Sequence, residues 1–236
     1  MEQKHPVLGI LGGMGPMSTV YFYEMLTRHT AAEKDQDHLD IVISSRATTP
    51  DRTAFILGKS REDPFAVMRQ DAEMLVRYGA TLLAIPCNTA HYFYDQLARS
   101  LPVPVLNMMQ LTVREAKAAG CRKLGILATD GTVQAGSYQH MCGAEGLAWA
   151  VPSPHSQAVL MGIIYDQIKQ GRRADMRTFA AIERELREAG CQNAVLGCTE
   201  LSLIKRDEGL GSFFIDSTEM LAKHTLLACG KPITGF

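Results

Sequence analysis

Apolar residues in this chain fall into short unbroken runs, separated by longer stretches in which they recur every three or four positions. The runs predict strands at Val7–Leu11, Asp40–Ser44, Thr81–Ile85, Val103–Leu106, Lys123–Ala128, Leu147–Val151, Asn193–Leu196 and Phe213–Ile215. Most are apolar at successive rather than alternate positions, the pattern of a parallel strand covered by helices on both faces. Between them, Phe65, Met68, Ala72, Leu75 and Val76 trace one face of a helix that Gly79 stops. Ile182, Leu186 and Ala189 repeat the arrangement, with Gly190 as the stop. Strands alternating with helices predict an α/β fold with mostly parallel sheets.

The pattern also recurs on a larger scale. Leu8-Gly9-Ile10-Leu11 returns as Leu124-Gly125-Ile126-Leu127, 116 residues on. Gly79, a strand and Cys87-Asn88-Thr89 return as Gly190, a strand and Cys198-Thr199-Glu200, 111 residues on. Order and spacing agree in both blocks. They predict two pseudo-symmetric lobes, each a mostly parallel sheet flanked by helices, with the active site in the cleft between them. The boundary falls near Asn107–Gln110, giving an N-terminal lobe over 1–107 and a C-terminal lobe over 108–216. The last segment, 217–236, carries a helix over Ser217–Cys229 that is expected to pack back on the first lobe.

Composition narrows the class. The 236 residues are 46% hydrophobic and 21% charged, with a net charge of −1. That balance offers no basic surface for nucleic acid or an acidic membrane. The apolar runs are far shorter than the ~20 residues of a membrane span. The N-terminal run from Met1 stops at Gly12 and Gly13 and lacks a signal-peptide cleavage site, so the expected location is the cytoplasm. Six cysteines occur without a CxxC pair, which argues against a structural zinc site, and no metal is predicted. Disulfides are disfavoured in a reducing compartment. Each thiol is therefore either a small buried apolar group or a reactive one.

Three motifs carry candidate chemistry. Gly9-Ile10-Leu11-Gly12-Gly13-Met14-Gly15-Pro16 joins a strand to a helix, and its amides suit a carboxylate or phosphate. A dinucleotide fold would place an acid at the end of the next strand. Here that strand ends Ser44-Ser45-Arg46. Pro86-Cys87-Asn88-Thr89-Ala90-His91 puts a thiol where a strand gives way to a helix, the end at which ligands bind in parallel sheets. A helix N-terminus there would lower the thiol pKa. Asn88 and Thr89 either cap that helix or contact a ligand. Gly197-Cys198-Thr199-Glu200-Leu201 repeats the environment in the second half. Glu200 either acts on a neighbouring group or simply occupies the first helical turn. Cys121, Cys142, Cys191 and Cys229 lack the strand-end position and are assigned structural roles. Arg52 and Lys169 suit a carboxylate, although spacing alone favours a surface arginine and a helix-end lysine.

Two such thiols suit one task. To move a proton from one face of a carbon stereocentre to the other, an acid and a base must stand on opposite sides, in opposite protonation states. The carbanion between them needs electrostatic support from amides and hydroxyls around the carboxylate.

Taken together, GILGGMGPMST, PDRTAFILG, PCNTAH, LATDGT, MGIIYDQIKQG and GCTEL, in that order from about Val7 to Ala228, resemble the aspartate/glutamate racemase family. The resemblance implies racemisation without metal or pyridoxal phosphate, with Cys87 and Cys198 as paired acid and base. It places Asn88, Thr89 and Thr199 around the α-carboxylate and amino group, with Met14 and Thr132 near the same pocket. It gives Arg52 and Lys169 the second carboxylate of an acidic amino acid, aspartate before glutamate. It also implies a homodimer. Arg46 is outside the family pattern, and either widens substrate choice or makes a structural ion pair. The alternative reading is a maleate isomerase- or decarboxylase-like enzyme of the same superfamily acting on a diacid. A non-catalytic binder of acidic amino acids is the third.

Overall fold

A computed structural model describes residues 5–236 and shows two all-parallel sheets. The first half runs β1 (Val7–Gly12), α1 (Pro16–His29), β2 (Asp40–Ser45), α2 (Arg52–Ile56), α3 (Pro64–Arg77), β3 (Leu82–Ala84) and α4 (Tyr94–Ser100). After α5 (Met108–Ala118) the second half runs β4 (Lys123–Ala128), α6 (Asp130–Ala135), α7 (Ser137–Glu145), β5 (Ala148–Ala150), α8 (Pro154–Gly162), α9 (Met176–Glu188), β6 (Asn193–Gly197), α10 (Thr199–Glu208), β7 (Phe214–Asp216) and α11 (Ser217–Ala228). Gly79 and Gly190 take positive φ, 98° and 81°, just beyond α3 and α9. That conformation lets each chain turn from helix into strand.

One predicted strand is nearly lost. Val103–Leu106 forms only a single parallel bridge, Val105 to Leu83. Pro102 and Pro104 carry no amide hydrogen, so the segment cannot sustain a ladder. It still exchanges one pair of bonds with β3, Leu83 N–H to Pro104 and Leu106 N–H to Leu83. That bridge completes the symmetry. The first sheet has the order β2-β1-β3 with Val105 beyond, and the second has β5-β4-β6-β7. The fold is therefore two lobes of one topology.

The helix after each sheet crosses to the other lobe. Met109, Val113 and Ala116 of α5 pack with Leu124, Ile126 and Val195 of the second sheet. Leu221, Ala222 and Leu226 of α11 pack with Leu8 and Ile10 of the first sheet and Phe22 of α1. The two helices also touch each other, where Glu115 pairs with Lys223 at 3.0 Å and His224 at 2.8 Å. Burying apolar side chains across the division, at about 25 cal/mol per Å², stabilises the two lobes against each other. No helix among the described residues is long and apolar enough to cross a membrane.

Asp216 closes β7 and caps α11. Its Oδ1 accepts from Ser202 Oγ at 2.6 Å and Thr218 N at 2.8 Å, while its buried Oδ2 has no partner. Burial, helped by Glu219, pushes its pKa up to about 6. A carboxyl with a raised folded pKa binds more protons folded than unfolded, so its ionisation subtracts stability as pH climbs from about 4 to about 6. Native stability is expected to fall across that window, by about 1–3 kcal/mol. Asp216→Asn should flatten the fall, because asparagine keeps the cap without titrating. Thermal unfolding midpoints against pH check this.

Candidate active site

Strand ends bring the two thiols together. Cys87 follows β3, and Cys198 follows β6 as the residue before the first turn of α10. Both are 6% exposed and both line one inner cavity between the lobes. The predicted helix start at Cys87 is a 3-10 turn, Thr89–Phe93, before α4 begins. A single tight turn has few aligned peptides, so the dipole assistance expected there is reduced.

The second thiol departs further from expectation. Cys198 Sγ donates to Glu200 Oε2 at 2.9 Å. Burial, followed by the Glu200 carboxylate, raises the Cys198 thiol well above its ordinary pKa. The helix N-terminus therefore does not set its state. The Cys198 thiol directs its hydrogen at a carboxylate, which favours its protonated form.

Glu200 is also bound on its other side. Lys169 Nζ lies 3.5 Å from Glu200 Oε1 and 4.7 Å from the centre of the Tyr165 ring. Burial is the largest influence and opposes the lysine's charge, but Glu200, Cys198, Tyr165 and Cys87 together outweigh it, so the net pKa is raised. A π-helical turn over Ile163–Gln167 and a 3-10 turn over Ile168–Gln170 carry Tyr165 and Lys169 to this position. The wide turn shifts the side-chain register of the helical run, a device common at functional sites.

Arg52 opens α2. Its Nη1 donates to the carbonyls of Thr49 and Pro50, at 3.1 and 2.9 Å. Its Nε is buried and unpartnered, and no carboxylate pairs with it among the described residues. A guanidinium 9% exposed with an idle donor is prepared for an anion.

Three further predicted residues take more specific positions. Asn88 makes no capping bond. Its Nδ2 donates to Ser217 Oγ at 2.9 Å and its Oδ1 accepts from Tyr138 OH at 2.6 Å, so the side chain ties the first lobe to α7 and α11. Thr89 Oγ1 meets Thr129 Oγ1 at 3.0 Å and Thr132 Oγ1 at 3.1 Å. Thr89 lines the cavity, whereas Thr132 stands behind it. Met14 and Thr199 line the cavity. Asp51, Thr53, Thr129 and Tyr165 also line it, and sequence pattern alone does not single them out. Tyr165, one helical turn before Lys169, was the most accessible signal.

Arg46 is structural. Its Nε lies 2.8 Å from Asp71 Oδ2 and its Nη2 2.5 Å from Oδ1, while Ser44 Oγ also donates to Asp71. The pair packs α3 onto the end of β2. Gly13, at φ 85°, fits against the Arg46 backbone only because it has no Cβ; one there would lie 2.4 Å from Arg46 N. Arg46→Met is expected to lower the unfolding midpoint by several degrees and leave kcat/KM unchanged within roughly twofold. Calorimetry and steady-state rates check both.

The inner cavity has a free volume of only about 10 Å³, about enough for one water. It adjoins an outer cleft of about 640 Å³, open towards solvent. Asp51, Arg52, Lys169 and Glu200 line both. A ligand larger than water must widen the inner space, and the Lys169–Glu200 pair stands at the junction. The remaining cysteines line neither space, and burial raises their thiol pKa values. Among the described residues, no group of three or more His, Cys, Asp or Glu is placed to hold a metal.

Groups able to give and take protons thus reach one small space from both lobes, which is the arrangement of an acid–base enzyme. Comparison with known proteins agrees on the class. The family model described as Asp/Glu/Hydantoin racemase matches residues 11–225. The chain belongs to that family and is an isomerase of racemase type. The structure of Picrophilus torridus aspartate racemase is similar with a TM-score of 0.82 and 28% identity, over 97% of this chain and 96% of that one. An aspartate racemase homologue from Pyrococcus horikoshii OT3 gives 0.77 and 25%, over 96% and 99%. The broad specificity amino-acid racemase RacX of Bacillus subtilis (strain 168) is 28% identical over 93% of this chain and 96% of its own.

Proposed function

We propose that the protein interconverts the enantiomers of a dicarboxylic amino acid, aspartate before glutamate, with Cys87 and Cys198 as its only proton carriers and no cofactor. The observation that carries this reading is the shared inner cavity, with one thiol from each lobe beside an arginine whose buried Nε has no partner among the described residues. In the form with Cys198 protonated, Cys87 is the base. Its thiolate takes the α-hydrogen, the Cα–H pair remains on carbon as a carbanion, and Cys198 returns its proton to the opposite face. The product leaves with the two protonation states exchanged, which is the form that serves the other enantiomer. The α-carboxylate lies near the backbone amides that open the turns after Cys87 and Cys198, whose hydrogens stabilise the enolate-like charge. Arg52 and Lys169 take the distal carboxylate. The small inner space favours the shorter acid, and one methylene is worth about 1–3 kcal/mol of discrimination.

The test is L-aspartate in heavy water, followed by chiral chromatography and mass spectrometry together. The expected result is D-aspartate carrying one deuterium at Cα. Binding without exchange would make the protein a receptor for acidic amino acids. Turnover of maleate or a disubstituted malonate, with no exchange into aspartate, would move it to the isomerase or decarboxylase reading.

A further inference from the structure

His91 lies in the turn after Cys87 and takes no part in the chemistry above. Its ring is buried, the residue being 6% exposed, and stacks at 6.0 Å on Tyr94. Nε2 lies 3.0 Å from Met108 N, and Nδ1 lies 2.9 Å from the Cys87 carbonyl oxygen. A backbone N–H can only donate, so Nε2 must be the unprotonated nitrogen. Nδ1 then carries the hydrogen and donates it to Cys87. Burial lowers the His91 pKa and keeps this neutral tautomer.

The bond fixes more than a carbonyl. A peptide unit is planar and trans, so with the Cys87 oxygen held by His91 the Asn88 N–H points the opposite way. The ring also satisfies an otherwise orphan amide in the first turn of α5, a helix whose apolar face belongs to the second lobe's core. Cys198 is supported differently. It precedes α10 directly, and its partner is Glu200 rather than an imidazole.

We infer that His91 is a positioning residue for the Cys87 thiol: its Nδ1–H fixes the Cys87–Asn88 peptide and with it the placement of that thiol, whereas the Cys198 thiol is placed without it. The inference rests on the two-thiol reading, and its test separates the two arms of the ring. Asparagine places an amide nitrogen near the Nδ1 position and keeps the bond to Cys87. Glutamine places an amide oxygen near the Nε2 position and keeps the bond to Met108. In a Cys198→Ala background, α-deuterium exchange of the one enantiomer that Cys87 serves is expected to fall about ten- to a hundredfold with His91→Gln. It should stay within about threefold with His91→Asn. In a Cys87→Ala background His91→Gln should lower the exchange that Cys198 performs by only about threefold, through the Asn88 amide alone, and His91→Asn should leave it unchanged. Equal losses from both substitutions, or a matching loss at Cys198, would overturn the inference.

A second readout does not need racemase chemistry. The rate at which iodoacetamide labels Cys87, measured on its own peptide by mass spectrometry, should change with His91→Gln and not with His91→Asn. If neither single-cysteine parent exchanges any α-hydrogen, the two-thiol reading fails while this labelling contrast still decides the role of His91. Thermal unfolding of each variant confirms that it remains folded, and an unchanged labelling rate in folded His91→Gln overturns the positioning role.

Discussion

Cys87→Ala and Cys198→Ala are each expected to abolish racemisation of aspartate, by about a thousandfold or more, while each retains α-hydrogen exchange with one enantiomer. The two losses have one cause. Inversion needs a donor on the face opposite the base, and alanine leaves that face without a group to return the proton. Removal alone is still possible, because the remaining thiol reaches Cα from its own lobe and can give back a solvent-derived proton to the same face. The variants should therefore be complementary: one exchanges only L-aspartate, the other only D-aspartate. Cys198→Ala has an added consequence. Glu200 Oε2 loses the thiol hydrogen it accepts at 2.9 Å and keeps Thr199 Oγ1 at 3.4 Å and, through Oε1, Lys169. Removing this thiol leaves a buried carboxylate less well satisfied, so Cys198→Ala should also be the less stable of the two. Cys198→Ser, which retains a donor, should restore stability without restoring inversion. Chirality and deuterium content of recovered aspartate, with unfolding midpoints alongside, check the set. Racemisation by either alanine variant at the native rate would defeat the two-base mechanism.

Much of this arrangement is visible in the chain because it depends on local pattern. Unbroken apolar runs mark strands buried on both faces. The pair of matched blocks marks two lobes of one topology, and strand-end position distinguishes Cys87 and Cys198 from four other cysteines. What the pattern misses is set by contacts between distant residues. Arg46 finds Asp71 on α3, 25 positions away, and becomes structural. Asn88 looks like a helix cap, yet its amide is held by Tyr138 and Ser217, 50 and 129 residues away. The Cys198 thiol is expected to be acidified by a helix start; burial and a glutamate two residues on reverse the direction. Tyr165 is missed because an aromatic in an apolar helical run reads as core, although it stands one turn before Lys169. The fourth strand of the first lobe is shorter than the apolar run Val103–Leu106 predicts, because Pro102 and Pro104 withhold ladder donors.

The second large effect is expected at the pair of cations. Arg52→Gln should lower kcat/KM for aspartate by about a hundredfold, the scale of a lost charge-assisted contact at roughly 1.4 kcal/mol per tenfold. The effect should be small for a neutral amino acid, where no distal carboxylate exists to be held. Arg52 also donates to the Thr49 and Pro50 carbonyls, so the variant should lose some stability as well, which unfolding midpoints separate from the kinetic loss. The loss should fall mainly on KM, because a remote carboxylate is held in substrate and transition state alike. Lys169→Met differs because Lys169 serves two groups. It reaches the cavity that would hold the distal carboxylate, and it is also the cation beside Glu200, at 3.5 Å. Without it, Glu200 stands uncompensated next to Cys198, whose thiol becomes still harder to ionise. Any turnover that requires Cys198 as a thiolate then slows. Lys169→Met should accordingly depress kcat as well as raise KM, and it should slow neutral amino acids that Arg52→Gln spares. Steady-state rates for aspartate, glutamate and alanine in both directions distinguish the two patterns. If Arg52→Gln leaves aspartate kinetics intact, the distal carboxylate is not held there and the dicarboxylic substrate loses its main support.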